Sequence, residues 1–506
     1  MAPALFRRGS RERSSIQIAD FSAVLAVAIF ASTGTTQQTL AQEYLSTVGA
    51  ALNKTPPATS FTGLDDNKLN ENAISTEVQR VPTPDLAVPV TPPQRYMREV
   101  LWSEVLGREI PDDTPAFFRD TLVQVVPRTY YLSRDNFDGT TSQAMAGGGW
   151  IAYRSGLIGG VLGVQAAFYT SQKISGEPDE SGTALLTPGQ NPINTLGQAL
   201  VRARLDGQEF RGGRQLIDTP LINPRDNRMV PQTFEAVTAN STPSKSRAFD
   251  YSAGYIWQIK PRDSNDFVPM SEALTNPDAE DEGSPFVMFK YRPFDGLSTI
   301  FMDYFIDDYI NSGFAQVEFI PPGQKEKFFG WGMGANVIPQ QSTGDDLITG
   351  DSFSTYQGSA KVQTRFGGLN VFVAGSATGD ESEIRSPFGS KPNYTDMQQV
   401  SFDRAGEKAI GGALIYDFAW DFERLAGLTV GAWYSSGWDA INPTTGASLA
   451  DREEFDLWMQ YRPTQGPYKG LRTKVQYSDV WQDGNVRDTQ PEIRMVVDYT
   501  LLFKNQ

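Results

Sequence analysis

Adjacent carboxylates at Glu453 and Glu454, and at Asp307 and Asp308, come nearest in this sequence to a general acid–base pair. Glycosidic hydrolysis needs two carboxyl groups facing one substrate. Neighbours on an extended strand point to opposite faces, so neither pair can act together. The chain has no histidine and no cysteine. A histidine base, a cysteine nucleophile, a thiolate metal site, a disulfide framework and a lipid-bearing cysteine are therefore excluded. Nothing in the residues asks for a metal or another cofactor. The chemistry that remains is noncovalent. Arg202 and Arg204 stand two apart, as do Arg472 and Lys474, so each pair shares one face of a strand. Rows of that kind hold anions weakly at successive places.

Such rows need strands to carry them, and from about Ala116 onward the sequence reads as strands. Ile493, Met495, Val497, Tyr499, Leu501 and Phe503 alternate with Arg494, Val496, Asp498, Thr500 and Leu502. Phe455, Leu457, Met459 and Tyr461 alternate with Asp456, Trp458, Gln460 and Arg462, and the same holds around Val287, Phe289 and Tyr291. One apolar and one polar face is the period-two pattern of a half-buried strand, which a soluble sandwich would also give. Loop lengths separate the two. Short connections fall at Pro293–Gly296, Pro321–Lys327, Phe366–Gly368, Asp421–Gly427 and Pro463–Gly470. Between them lie mostly long acidic ones: Pro339–Ser352, Thr378–Lys408, Gly437–Glu453 and Val480–Gln490, with Asp307–Gly313 shorter. Short turns at one rim and long loops at the other are the build of a transmembrane antiparallel β-barrel, here of about 18 strands. Tyr251, Tyr255, Trp257 and Trp331 then read as an interface girdle.

A barrel of about sixteen to eighteen strands encloses an aqueous lumen. The complement of the apolar face assigns to it Arg202, Arg204, Lys290, Lys361, Arg472, Lys474 and Arg494, with Arg128, Arg134 and Arg154 joining on weaker alternation. Arg292, Arg365 and Arg462 adjoin short turns and fit a lumen or an interface position equally. Inward acids are Asp303, Asp307, Asp456 and Asp498. With Lys+Arg 44 against Asp+Glu 60 and a net charge of −16, no nucleic-acid partner is expected.

The N-terminus reads as an export signal over 1–41. Arg7, Arg8, Arg11 and Arg13 precede the apolar run Ala23–Ala31, which is too short to span a bilayer, and Thr39-Leu40-Ala41 offers a cleavage site. Residues 42–115 read as a proline-rich linker, Val81–Pro93 carrying five prolines, followed by a short amphipathic helix within Tyr96–Ile110. The barrel domain is expected over 116–506.

Several stretches together resemble the OprD-type porins of Gram-negative outer membranes. These are RTYYLSRD (Arg128–Asp135), VRARLDGQEFRGG (Val201–Gly213), TPLINPRDNRMVPQTF (Thr219–Phe234), IKPRDSNDF (Ile259–Phe267), SFSTYQGSA (Ser352–Ala360), GPYKGLRTKVQY (Gly466–Tyr477) and the VVDYTLLF ending. The resemblance runs from about Ala116 to Phe503. It implies an eighteen-stranded barrel in the outer membrane, constricted by an inward-folded loop. It also implies passive diffusion of amino acids, peptides or carboxylates past a ladder of basic side chains. On that view Leu216–Phe234 builds the constriction, with Pro220, Pro224 and Pro231 stiffening it, Arg225 and Arg228 turned to the pore, and Phe234 at its end. Arg128, Arg134, Arg202 and Arg204 match the family motifs best. Implied partners are small solutes, outer-membrane lipid and lipopolysaccharide, and the barrel-assembly machinery; the oligomeric state is left open. Two departures stand out: the long segment before Ala116, and Lys504-Asn505-Gln506 after the terminal aromatic. A competing expectation is a non-conducting or plugged barrel with a structural or adhesive role, its lumen filled by residues 42–115.

Overall fold

Period-two alternation becomes eighteen antiparallel strands among the described residues of the computed structural model, which are 97–242, 248–274, 281–324, 327–390 and 392–505. The export signal and the linker up to residue 96 lie outside the described residues. The strands are β1 (Leu122–Asp135), β2 (Thr141–Arg154), β3 (Leu162–Ser175), β4 (Ile193–Leu205), β5 (Gln208–Gln215) and β6 (Thr233–Ser241). They continue as β7 (Phe249–Lys260), β8 (Ser284–Tyr291), β9 (Leu297–Ile306), β10 (Ile310–Phe319), β11 (Phe329–Gln341) and β12 (Ser354–Phe366). The last six are β13 (Leu369–Thr378), β14 (Lys408–Asp417), β15 (Leu428–Trp438), β16 (Arg452–Tyr461), β17 (Leu471–Trp481) and β18 (Glu492–Tyr499, resuming as Leu501–Lys504). Each pairs with the next, and β18 pairs back onto β1, which closes the sheet into a barrel.

The loops sort by rim as expected. Connections 155–161, 206–207, 292–296, 320–328, 367–368, 418–427 and 462–470 lie at one rim; 176–192, 216–232, 342–353, 379–407, 439–451 and 482–491 lie at the other. Asp206–Gly207, one of two connections of two residues, has φ of 46° and 76°. Two successive positive φ angles form the hairpin turn that Asp-Gly supplies at least strain. Gly431 has a packing reason instead: a Cβ there would lie 2.5 Å from the Trp458 ring, so glycine admits the indole to the inner wall.

The two faces of the wall invert the order of a soluble protein. Ile151, Phe168, Val201, Phe301, Val362, Val373, Leu414, Leu457, Met459 and Val497 are exposed on the outside. A continuous apolar surface of that extent is a solvent-facing cost in water and a gain in lipid. Of the four residues read as a girdle, Tyr255 and Trp257 are exposed on this face, and Tyr251 and Trp331 are half-buried. The alternate positions, among them Gln124, Arg128, Gln165, Gln198, Arg202, Glu454, Arg472 and Asp498, are buried.

The region before the barrel differs from the expected helix. Arg98–Leu101 is a strand that pairs in parallel with Leu501–Lys504, and within Met97–Ile110 only Trp102–Leu106 is helical; a second short helix follows at Ala116–Arg119. The apolar spacing there spans two elements: Val100 and Leu101 belong to the strand, and Val105 and Leu106 to the short helix after it. Trp102 stacks on Phe503 with ring centroids 5.4 Å apart, and Lys504 pairs with Glu99 at 3.0 Å. Lys504, just beyond the terminal aromatic, is thus used in this pairing.

Candidate functional site

Alternation puts Arg134, Arg494, Lys474, Arg128 and Arg472 on the buried face of β1, β17 and β18, and register sets their heights. Arg134 stands opposite Glu492, Arg494 opposite Leu132, Lys474 opposite Val496, and Asp498 lies between Arg128 and Arg472. A column of charge therefore descends from the long-loop rim towards the short-turn rim. Arg134 Nη1 lies 3.7 Å from Glu492, and Arg494 Nε donates to Glu492 at 2.6 Å. Arg472 pairs with Asp498, and Arg128 Nε lies 3.4 Å from the same carboxylate. Lys474 Nζ lies 5.2 Å over the Trp458 ring. A cation over an indole face is held without an acid beside it.

Segment 216–232 lies against this face. Arg128 Nη1 donates to Asp226 at 2.7 Å and to the Arg228 carbonyl at 2.8 Å, while its plane stacks on Trp150 at 4.6 Å. Pro220, Pro224 and Pro231 are buried along the segment, and Arg225 is half-buried at φ 46°. Arg228 Nε donates to the Thr183 carbonyl at 2.8 Å. Burial, and after it the charge of Arg494, brings the Arg228 guanidinium down to about 10, so it stays cationic at neutral pH. Phe234 falls just beyond the segment, as a fully buried residue of β6 packed with Ile217, Leu221 and Ile222.

A second loop meets the first. Within 379–407, the Phe388 carbonyl accepts from Asn223 N at 3.0 Å and from Gln232 Nε2 at 2.5 Å. The tip of this loop is clamped by two carboxylates on the buried face of β16. Glu454 accepts the backbone N–H groups of Gln399 and Val400, both at 2.8 Å, and Asp456 accepts that of Gln398 at 3.1 Å. Gln398 Nε2 donates to Ser478 at 2.8 Å and Glu492 at 3.0 Å, which ties the tip to β17 and β18. Tyr394, Met397, Val400 and Phe402 of this loop pack on Phe372, Trp433 and Trp458 of the wall.

Towards the short-turn rim the balance of charge changes. Arg204 Nη2 and Arg211 Nε bind Glu209 at 3.0 and 2.6 Å, and Arg202 Nη1 lies 3.9 Å away. Arg154, fully buried at the end of β2, is within electrostatic reach of the same four residues. Three guanidinium groups thus lie within 4 Å of one carboxylate, and the charge of a fourth acts on it. Arg202 also donates to the Ser155 carbonyl at 2.8 Å.

The other expected lumen residues lie apart from these groups. Lys361 pairs with Glu318 at 2.5 Å beneath the Tyr394 ring, and Lys290 stands opposite Asp250 in the sheet. Arg292 pairs with Asp250, and Arg365 donates to the Lys327 carbonyl at 2.8 Å, stapling a short turn. Arg462 lies near Arg472 and Asp498. Two acids need correction. Asp307 is an exposed residue of turn 307–309 at the long-loop rim, outside any strand. Asp303 shares the face of exposed Phe301, whereas Met302, Tyr304 and Ile306 take the buried face. It sits opposite Val287 and Gly313 in an outward hollow of about 350 Å³ walled by Phe289, Phe301, Val337 and Pro339, and accepts from Asn311 Nδ2 at 3.1 Å. Its charge suggested the lumen, but the phase of its strand decides. A carboxylate on the lipid face is a cost, so Asp303→Asn is expected to stabilise the barrel by on the order of 1 kcal/mol near the rim. Urea unfolding in lipid vesicles measures this. Altered ion selectivity in the same variant would return Asp303 to the lumen.

Sequence reading missed Glu209 and Arg211, although the Asp206–Gly207 turn already sets Arg204 opposite Glu209. It also missed Asp226, itself in a loop, and the part of Glu454 and Glu492 in holding the 379–407 loop, because no periodicity signals a loop's direction.

A model of a family described as outer membrane porin, OprD family, matches residues 115–503. No curated protein matches the chain. Among solved structures, the chain is similar to OccK9 (OpdG) of Pseudomonas aeruginosa, with TM-score 0.69 and 19% identity over 76% of this chain and 100% of that one. It is similar to OpdK of the same organism, solved with vanillate, with TM-score 0.65 and 20% identity over 76% and 100%. OccK2 (OpdF) of Pseudomonas aeruginosa, solved with glucuronate, gives TM-score 0.65 and 18% identity over 76% and 99%.

Proposed function

The chain belongs to the OprD family of outer membrane porins, and from that premise we propose that it passes small carboxylates across the outer membrane by passive diffusion along its basic inner wall. The observation that carries this is the excess of cations around Glu209, where Arg154, Arg202, Arg204 and Arg211 leave positive charge for an anion to meet. A solute enters past the acidic long loops and loses part of its hydration between segment 216–232 and the 379–407 loop. It then passes Arg225 and Arg228, the column of Arg134, Arg494, Lys474, Arg128 and Arg472, and finally the Glu209 cluster. Guanidinium groups match a carboxylate in two parallel hydrogen bonds. Their existing acids keep each contact weak enough for the solute to leave, as conduction requires. That vanillate and glucuronate, the molecules in two related structures, are carboxylates supports the same solute class.

Replacement of Arg202 and Arg204 together by glutamine tests this. Bilayer recordings and liposome swelling are expected to show reduced carboxylate permeation and a shift of selectivity towards cations, with neutral sugars unaffected. Unchanged selectivity rejects the role of these two residues.

A further inference from the structure

Two cations at the constriction are held by one neutral residue. Arg228 Nε and Nη1 donate to the carbonyls of Thr183 and Asn227, both at 2.8 Å, and Arg262 Nη1 donates to Asn227 Oδ1. The Asn227 carbonyl also accepts from the Tyr130 hydroxyl at 3.3 Å, which ties the asparagine to the inner wall. Arg225 stands two residues before it at φ 46°, a backbone conformation that strains an arginine. The Asn223 side chain holds it there, its Oδ1 accepting the Arg225 N–H at 3.2 Å. Among the described residues, Arg225, Arg228 and Arg262 form no contact ion pair. Arg494 is within electrostatic reach of all three, and the acid beside it, Glu492, already accepts its Nε at 2.6 Å. Asp263 and Asp396 act on Arg225 only through space.

We propose that Arg225, Arg228 and Arg262, brought together from segments 216–232 and 261–267, bind solutes that carry two carboxylates. Arg228 Nη2, and Nε and Nη2 of Arg262, have no partner among the described residues. The two oxygens of one carboxylate can bridge these two guanidinium groups. Arg225 is then left without an anion until a second carboxylate on the same solute supplies it. A monocarboxylate therefore leaves one of the three cations unmatched, whereas a dicarboxylate meets them all. Arg228 is only 6% exposed, where a charge without a counter-charge is costly and a charge-assisted bond is strong.

This inference rests on the channel reading and narrows its solute class, and two measurements keep the two apart. Succinate and butyrate share a four-carbon chain and differ by one carboxylate. Calorimetry on the full-length protein in detergent micelles measures their binding, and liposome swelling measures their passage. Succinate is expected to bind at least about tenfold more tightly than butyrate, the effect of one added charge-assisted hydrogen bond. Arg262→Gln is expected to remove most of that preference, and Arg262→Lys, which keeps the charge but not the planar fork, to leave an intermediate one. Equal binding of the two solutes, or an unchanged preference in Arg262→Gln, overturns the site even where both solutes pass. Preferential binding of succinate with passage of neither solute upholds the site and rejects the channel reading.

Discussion

Replacing Arg128 by glutamine is expected to release segment 216–232 from the wall and raise single-channel conductance severalfold. One guanidinium makes the charged part of the attachment: it binds Asp226 at 2.7 Å and the Arg228 carbonyl at 2.8 Å, and Asp226 is 5% exposed. Removing one partner of a buried pair leaves the other charge without compensation, at a cost of about 3–5 kcal/mol if the surroundings stay closed. The segment can avoid that cost by moving Asp226 to water, which widens the constriction. Asp498 does not force the same response, because Arg472 still donates to it at 3.0 Å. Arg128→Lys keeps the charge but lacks the planar fork that bonds the carboxylate and the carbonyl together, so an intermediate conductance is expected. Combining Arg128→Gln with Asp226→Asn should cost less stability than the sum of the two changes, since both act on one pair. Wild-type conductance in Arg128→Gln would show that the segment's other contacts, among them Asn223 and Gln232 on Phe388 and Arg228 on Thr183, hold it without Arg128.

The wall of this barrel was readable in the sequence because a strand has a period of two and a lipid-facing side must be apolar. Arg494, Arg472 and Lys474 stand where alternation with Met495, Val475 and Val497 puts them. Asp303 shows the limit: its charge pointed inward, but Phe301 and Met302 fix the phase of β9, and phase governs. What lay beyond reach was the content of the lumen. The long acidic stretch Thr378–Lys408 resembles any extramembrane loop in composition, yet Tyr394, Met397 and Phe402 pack on the inner wall. Nothing local to those residues distinguishes a loop that turns inward from one that turns out, because the partners are Glu454 and Asp456 of a strand far along the chain. The same limit applies to Arg98–Leu101, whose strand conformation comes from an edge that exists only once β18 is in place.

Glu454 offers the second large effect. Both of its oxygens accept backbone N–H groups, from Gln399 and Val400, in a position with no exposed surface. A glutamine there presents one oxygen and one amide nitrogen, so a donor faces a donor and one buried N–H loses its acceptor. Such a loss costs about 1–3 kcal/mol. Glu454→Leu removes both acceptors and is expected to cost more, although Gln398 on Ser478 and Glu492 still restrains the tip. The released tip should show faster hydrogen exchange at residues 398–400, and conductance should rise because the 379–407 loop forms one side of the constriction. The adjacent Glu453 is an internal control, being exposed on the opposite face of β16. Glu453→Gln is expected to leave both measurements unchanged. If exchange at 398–400 stays slow in Glu454→Leu, the loop is held by the packing of Phe402 and Trp433 rather than by the carboxylates, and the constriction is a rigid part of the wall.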